Sequence, residues 1–106
     1  MKGGLQEALL IAQNSRCKYK HGAVVMRRGK IISRGTNYRR FAPTDRSWRA
    51  SYVHAEEMAI HMAGDVTGAT IFVARVNNSG DPLPSQPCKR CSGLIERSGI
   101  TIIYHT

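Results

Sequence analysis

The strongest constraint on this chain comes from two short segments that lie far apart in sequence and carry matching chemistry. They are His54-Ala55-Glu56 and Pro87-Cys88-Lys89-Arg90-Cys91. Each opens a stretch with helical character. Ala55, Met58, Ala59 and Met62 recur at helical spacing, and Gly64 follows where a C-terminal glycine belongs, which predicts a helix over about 53–63. Pro87 is tolerated in a first helical turn and Gly99 is a stop, which predicts a helix over about 87–97. Side chains at i and i+3 of a first turn face the same way, so Cys88 and Cys91 can offer both sulfurs to one ion. The partial positive charge of a helix N-terminus favours the thiolates that a metal needs. Two thiolates and an imidazole select zinc, and His54 is the obvious third ligand. A chain that gathers these three residues must bring two helix N-termini together.

Three protein ligands leave a fourth position for water, as in catalytic rather than structural zinc sites. Zinc lowers the pKa of that water to about 7, and a carboxylate beside it can accept the proton. Glu56 fits this role better than that of a ligand, because i and i+2 on a helix point apart. Glu57 reads as a surface acid favoured by the helix dipole. If Cys17 were a fourth ligand, the site would be closed, and the chain would be a non-catalytic zinc-stabilised module that binds nucleic acid. Cys17 reads better as a small buried thiol. His21, His61 and His105 have no ligand-like company and read as structural or surface residues.

The remaining pattern supplies a scaffold. Leu5, Ala8, Leu9 and Ala12 predict a first helix that Asn14-Ser15 ends. His21–Met26 and Lys30–Ser33 read as a hairpin around Arg28-Gly29, closed by Gly35-Thr36-Asn37. A basic loop with Pro43 and Asp45 then runs to about Ser51. Ala69–Val76 is a strand with an unbroken apolar centre, as in a strand covered on both faces. Asn77–Pro82 is a turn cluster, and Ile100–Tyr104 is a final strand. The order is α-β-β-α-β-α-β, an α/β fold with parallel neighbours in its second half. With 106 residues and no linker or repeat, residues 1–106 read as a single domain. No apolar run approaches the ~18–20 residues of a membrane span, and no secretory signal is evident. Three cysteines cannot close a disulfide framework, so a cytoplasmic, reducing location is expected.

His-x-Glu followed by Pro-Cys-x-x-Cys resembles the signature of zinc-dependent deaminases. The likeness covers most of the chain. The segment from Cys17 to Asn37, with Gly22-Ala23-Val24-Val25, looks like the first hairpin of deoxycytidylate deaminases. His54–Ile60 and Pro87–Tyr104 look like their second helix, third helix and fourth strand. The resemblance implies a cytidine-deaminase-like α/β/α sandwich around a minimal four-stranded mixed sheet, without the fifth strand of many relatives. It implies zinc on His54, Cys88 and Cys91, with Glu56 as the proton shuttle. Asn37 would bind the sugar and the Ala55 backbone the base. The implied reaction is hydrolytic deamination of cytosine (or of adenine), with release of ammonia. Residues Val76 to Gln86 form a lengthened loop where the family often runs directly into Pro-Cys.

Charge bears on the substrate. The chain carries a net +9, and residues 16–49 hold 11 of the 16 Lys and Arg with one acid, Asp45. Such a block favours an anionic partner. A free cytosine nucleotide such as dCMP, its phosphate met by Arg39, Arg40, Arg46 or Arg49, is the first expectation. Single-stranded DNA or RNA is the second, since Tyr38, Phe41 and Trp48 lie among the arginines, where they can stack bases or equally pack the loop down. The open edge left by a four-stranded sheet predicts a homo-oligomer.

Overall fold

The computed structural model describes residues 2–39 and 52–106. Helix α1 spans Lys2–Gln13, and strands β1 (Lys20–Arg27) and β2 (Lys30–Thr36) follow. A ribbon of two-residue strands, β3 (Tyr38–Arg39) and β4 (Tyr52–Val53), leads into α2 (Ala55–Ala63). Strand β5 (Thr70–Val76), the short β6 (Pro82–Leu83), α3 (Lys89–Ser98) and β7 (Ile102–His105) complete the chain.

The β1–β2 turn is set by its backbone. Arg28 and Gly29 both have positive φ, 54° and 76°, as a two-residue hairpin loop requires. One extra residue on β2 makes a bulge opposite Val25 and Met26. β5 pairs antiparallel with β1, and β7 pairs parallel with β5 from Thr70↔Ile102 to Val73↔His105. The long strands thus run β2-β1-β5-β7, the expected four-stranded mixed sheet. Beyond that expectation, β6 adds a short pairing beside the C-terminal end of β5. The segment expected as a lengthened loop is therefore partly a pinned return: Val76 belongs to β5, residues 77–81 turn, and Leu83 and Pro82 pair back onto Arg75 and Val76.

Alternation along the strands builds the three layers. Val24, Phe72 and Ala74 face α1 and pack with Ala8, Leu5 and Leu9. Ala23, Val25, Ile71 and Val73 face the opposite way and pack with Ala55 and Ala59 of α2 and Ile95 of α3. A strand covered on both faces must be apolar throughout, which explains the unbroken centre of β5.

Helix α2 lies close on the sheet because Gly35 allows it. A Cβ on Gly35 would stand 2.7 Å from the backbone nitrogen of Ala59 and 2.8 Å from the carbonyl oxygen of Ala55. Backbone atoms cannot swing aside, so Gly35→Ala must push α2 outward. The expected cost is about 1–3 kcal/mol, read in a thermal melt as a fall in Tm of roughly ten degrees. A variant that melts with the parent would contradict this packing.

Candidate metal centre and pocket

Two helix starts converge as the spacing of the ligands requires. His54 is the N-cap of α2, with extended φ and ψ of −76° and 152°. Cys88 is the N-cap of α3, and Cys91 lies in its first turn. The helices begin slightly later than the sequence pattern predicts, because Val53 belongs to β4 and Pro87 precedes the cap. Nδ1 of His54 lies 3.2 Å from Sγ of Cys91 and 3.7 Å from Sγ of Cys88, and all three donor atoms fall within 4.8 Å of one another. A tetrahedral zinc ion with ordinary bond lengths spaces nitrogen and sulfur donors about 3.6 Å apart. The donor set and its dimensions therefore fit zinc, and His54, Cys88 and Cys91 form a potential zinc site. Burial pushes the Cys91 thiol well above its ordinary range, and the Glu56 carboxylate pushes it further. A cation among these donors reverses that balance.

Cys17 is outside this cluster. It is half-buried rather than fully buried, and its thiol donates toward the carbonyl oxygen of Asn37 at 3.5 Å. Glu56 is also outside the donor cluster and only 5% exposed, in the first turn of α2.

A pocket of about 280 Å³ opens at the cluster. Glu56, Ala55, His54 and Cys88 form part of its wall, and Asn37 and His21 stand in it as well. Four sequence-selected residues are thus brought together with Asn37. The Asn37 amide is already engaged: Oδ1 accepts from Ser15 Oγ at 2.7 Å and from the His21 amide at 3.0 Å, and Nδ2 donates to Tyr19 O at 2.6 Å. Among the described residues the second Nδ2 hydrogen has no partner. Arg39 is placed on β3 by its backbone, whereas Arg40, Arg46 and Arg49, with Phe41 and Trp48, lie outside the described residues.

Sequence reasoning missed part of the wall. Tyr19, His21, Ser85 and Gln86 all line the pocket. His21 gave no local signal, because its company comes from other elements. Burial first, then the charges of Arg75 and His54, hold its imidazole below the usual histidine range. Glu57 also does more than sit on the surface. Its carboxylate accepts from the His54 amide at 3.4 Å and pairs with the Arg90 guanidinium. It therefore links the start of α2 to the turn between Cys88 and Cys91.

Comparison with known proteins places this geometry. The family model of the cytidine and deoxycytidylate deaminase zinc-binding region matches residues 2–106. No curated protein sequence matches the chain. Among solved structures, dCMP deaminase of the cyanophage S-TIM5 in its apo form superposes with a TM-score of 0.76 at 24% identity, covering 98% of this chain and 79% of that one. The same enzyme solved with dCMP and dUMP gives 0.72 at 24% identity, covering 98% and 78%. Guanine deaminase from Bacillus subtilis gives 0.66 at 20% identity, covering 99% and 62%. These likenesses establish the fold, and the family match covers nearly the whole chain. With its His54, Cys88 and Cys91 cluster at two helix starts, the chain belongs to the cytidine and deoxycytidylate deaminase family of zinc-dependent hydrolases.

Proposed function

We propose that this protein hydrolytically deaminates cytosine to uracil in a free nucleotide such as dCMP. The observation that carries the reading is Glu56, a nearly buried carboxylate in the wall of a base-sized pocket that opens onto the three-donor cluster. His54, Cys88 and Cys91 would hold zinc, a Lewis acid that would lower the pKa of water to about 7. Glu56 accepts a proton from the attacking water and delivers protons to the ring nitrogen and the departing amine. A C–O bond forms at C4, the C–N bond breaks, and ammonia leaves. The Ala55 backbone contacts the base and the remaining Asn37 amide hydrogen meets the sugar. Arg39, Arg40, Arg46 and Arg49 are candidates for the phosphate. We place the protein in the cytoplasm, where metal-ligating thiols such as Cys88 and Cys91 stay reduced. Ile102, Ile103 and Tyr104 of β7 are each more than a third exposed, which favours a homo-oligomer.

One observation favours a second reading, deamination within single-stranded DNA or RNA. A larger groove of about 810 Å³ adjoins the pocket through Tyr19 and Asn37, and it contains Arg16, Lys18 and Tyr38. The exposed Tyr19 ring has Lys18 Nζ at 5.7 Å and the Arg75 guanidinium at 5.4 Å. Aromatic rings among cations suit stacked bases.

One assay separates the readings. Zinc-loaded protein is given cytosine and adenine nucleosides and nucleotides, with single-stranded DNA and RNA oligonucleotides, and products are weighed by mass spectrometry. A one-dalton gain in a cytosine nucleotide alone supports the first reading. A gain in an oligonucleotide alone replaces it with the second. No gain in any substrate rejects both.

A further inference from the structure

We propose that Thr106 is a positioning residue for the metal centre, acting through Leu83 and Ser85 on the segment that delivers Cys88. The inference rests on His54, Cys88 and Cys91 holding zinc. Thr106 follows β7 and is not part of the pocket wall, yet its polar atoms converge on the loop beside it. Its amide donates to Val73 O at 3.1 Å and to Ser85 Oγ at 3.0 Å. Its backbone oxygen accepts from the Ser85 amide at 2.8 Å. Its hydroxyl donates to Leu83 O at 2.6 Å, accepts from the Arg75 amide at 3.2 Å and lies 2.8 Å from Ser85 Oγ. Ser85, only 5% exposed, in turn donates its hydroxyl to Val73 O at 2.8 Å.

These bonds tie three segments of the fold at one point: β5 at Val73 and Arg75, the end of β6 and the loop after it at Leu83 and Ser85, and the residue after β7. The consequence reaches the metal centre because the connection from Ser85 to Cys88 is short and stiff. Only Gln86 and Pro87 intervene, and the proline ring fixes its own φ. Ser92 of α3 holds the far end, donating Oγ to Pro87 O at 3.3 Å and its amide to Cys88 O at 2.8 Å. Ser85 and Gln86 are themselves pocket wall. The loop is therefore gripped at both ends, by Thr106 before the ligand and by α3 after it. Cys88 is exposed, unlike the buried Cys91, so packing does little to place its sulfur. Hydrogen bonds outside the metal's own ligands commonly decide whether a ligand is held in binding geometry.

The test reads the metal directly. Thr106→Val keeps the branched shape and the backbone bonds but removes the hydroxyl from Leu83 O, Ser85 Oγ and the Arg75 amide. Thr106→Ser keeps the hydroxyl. Zinc affinity is measured by competition with a chromophoric chelator, and Co²⁺ is titrated in to follow the thiolate-to-metal charge-transfer band. The expected result is a zinc affinity about tenfold or more weaker for Thr106→Val, with a weakened charge-transfer band, and recovery of both in Thr106→Ser. Unchanged affinity and band in Thr106→Val overturn the inference, even if Tm falls. If that variant does not fold, Ser85→Ala removes the acceptor of the Thr106 amide and the donor to Val73 O, and is judged by the same two readouts. Wild-type protein that binds neither metal overturns the zinc site itself, and the inference with it.

Discussion

Glu56→Gln is expected to lower the deamination rate by roughly a thousandfold while zinc stays bound. The side chain is 5% exposed, and glutamine has nearly the same shape, so α2 and the pocket wall keep their packing. Glutamine cannot accept the proton of the attacking water at neutral pH, and it has no acid to give to the leaving amine. Zinc content should not change, because Glu56 is not in the donor cluster. Rates with the substrate found in the mass-spectrometric assay, alongside metal analysis of the same protein, check both halves. Activity within tenfold of the parent would remove Glu56 from the chemistry. Loss of zinc together with activity would make it a structural acid.

The second large effect belongs to Cys91. Its side chain is fully buried, and its sulfur is 3.2 Å from the His54 nitrogen. Cys91→Ser replaces a soft thiolate donor with a hydroxyl that zinc does not favour, so zinc content should fall from one per chain to near zero. Stability should fall too, because zinc binds the folded state. At free zinc a hundred to a thousand times its Kd, that linkage is worth about 3–4 kcal/mol. A chelator should therefore lower the Tm of the wild type by about as much as the substitution does, and leave the Tm of Cys91→Ser unmoved. Cys17→Ser is the matched control and should keep its zinc, since that thiol lies against Asn37 O and away from the cluster. Zinc retained in Cys91→Ser, or lost in Cys17→Ser, would assign the ligands differently.

Much of this site was legible because its signals are local. The i, i+3 spacing of Cys88 and Cys91 is a property of one helical turn. The order of elements follows from periodicity and from glycines that stop helices, as Gly99 does with φ of 89°. Even the meeting of His54 with the cysteines was implied, since one ion needs all three.

What the sequence could not show depends on contacts between distant segments. His21 looks like any strand residue until β1 pairs with β5 and sets it opposite Arg75, beside the pocket. Glu57 looks like a helix-start acid until α3 brings Arg90 to it. Residues 76–86 look like a plain loop until β6 pairs back and Ser85 and Thr106 close on Val73.

The metal-donor set and the element order were thus written in the chain itself, because donor types, turn glycines and apolar periods act over a few residues. The shape of the pocket and the company of each wall residue were decided only by tertiary structure. Hydrogen bonds and ion pairs between elements exist only after the core has fixed which faces meet.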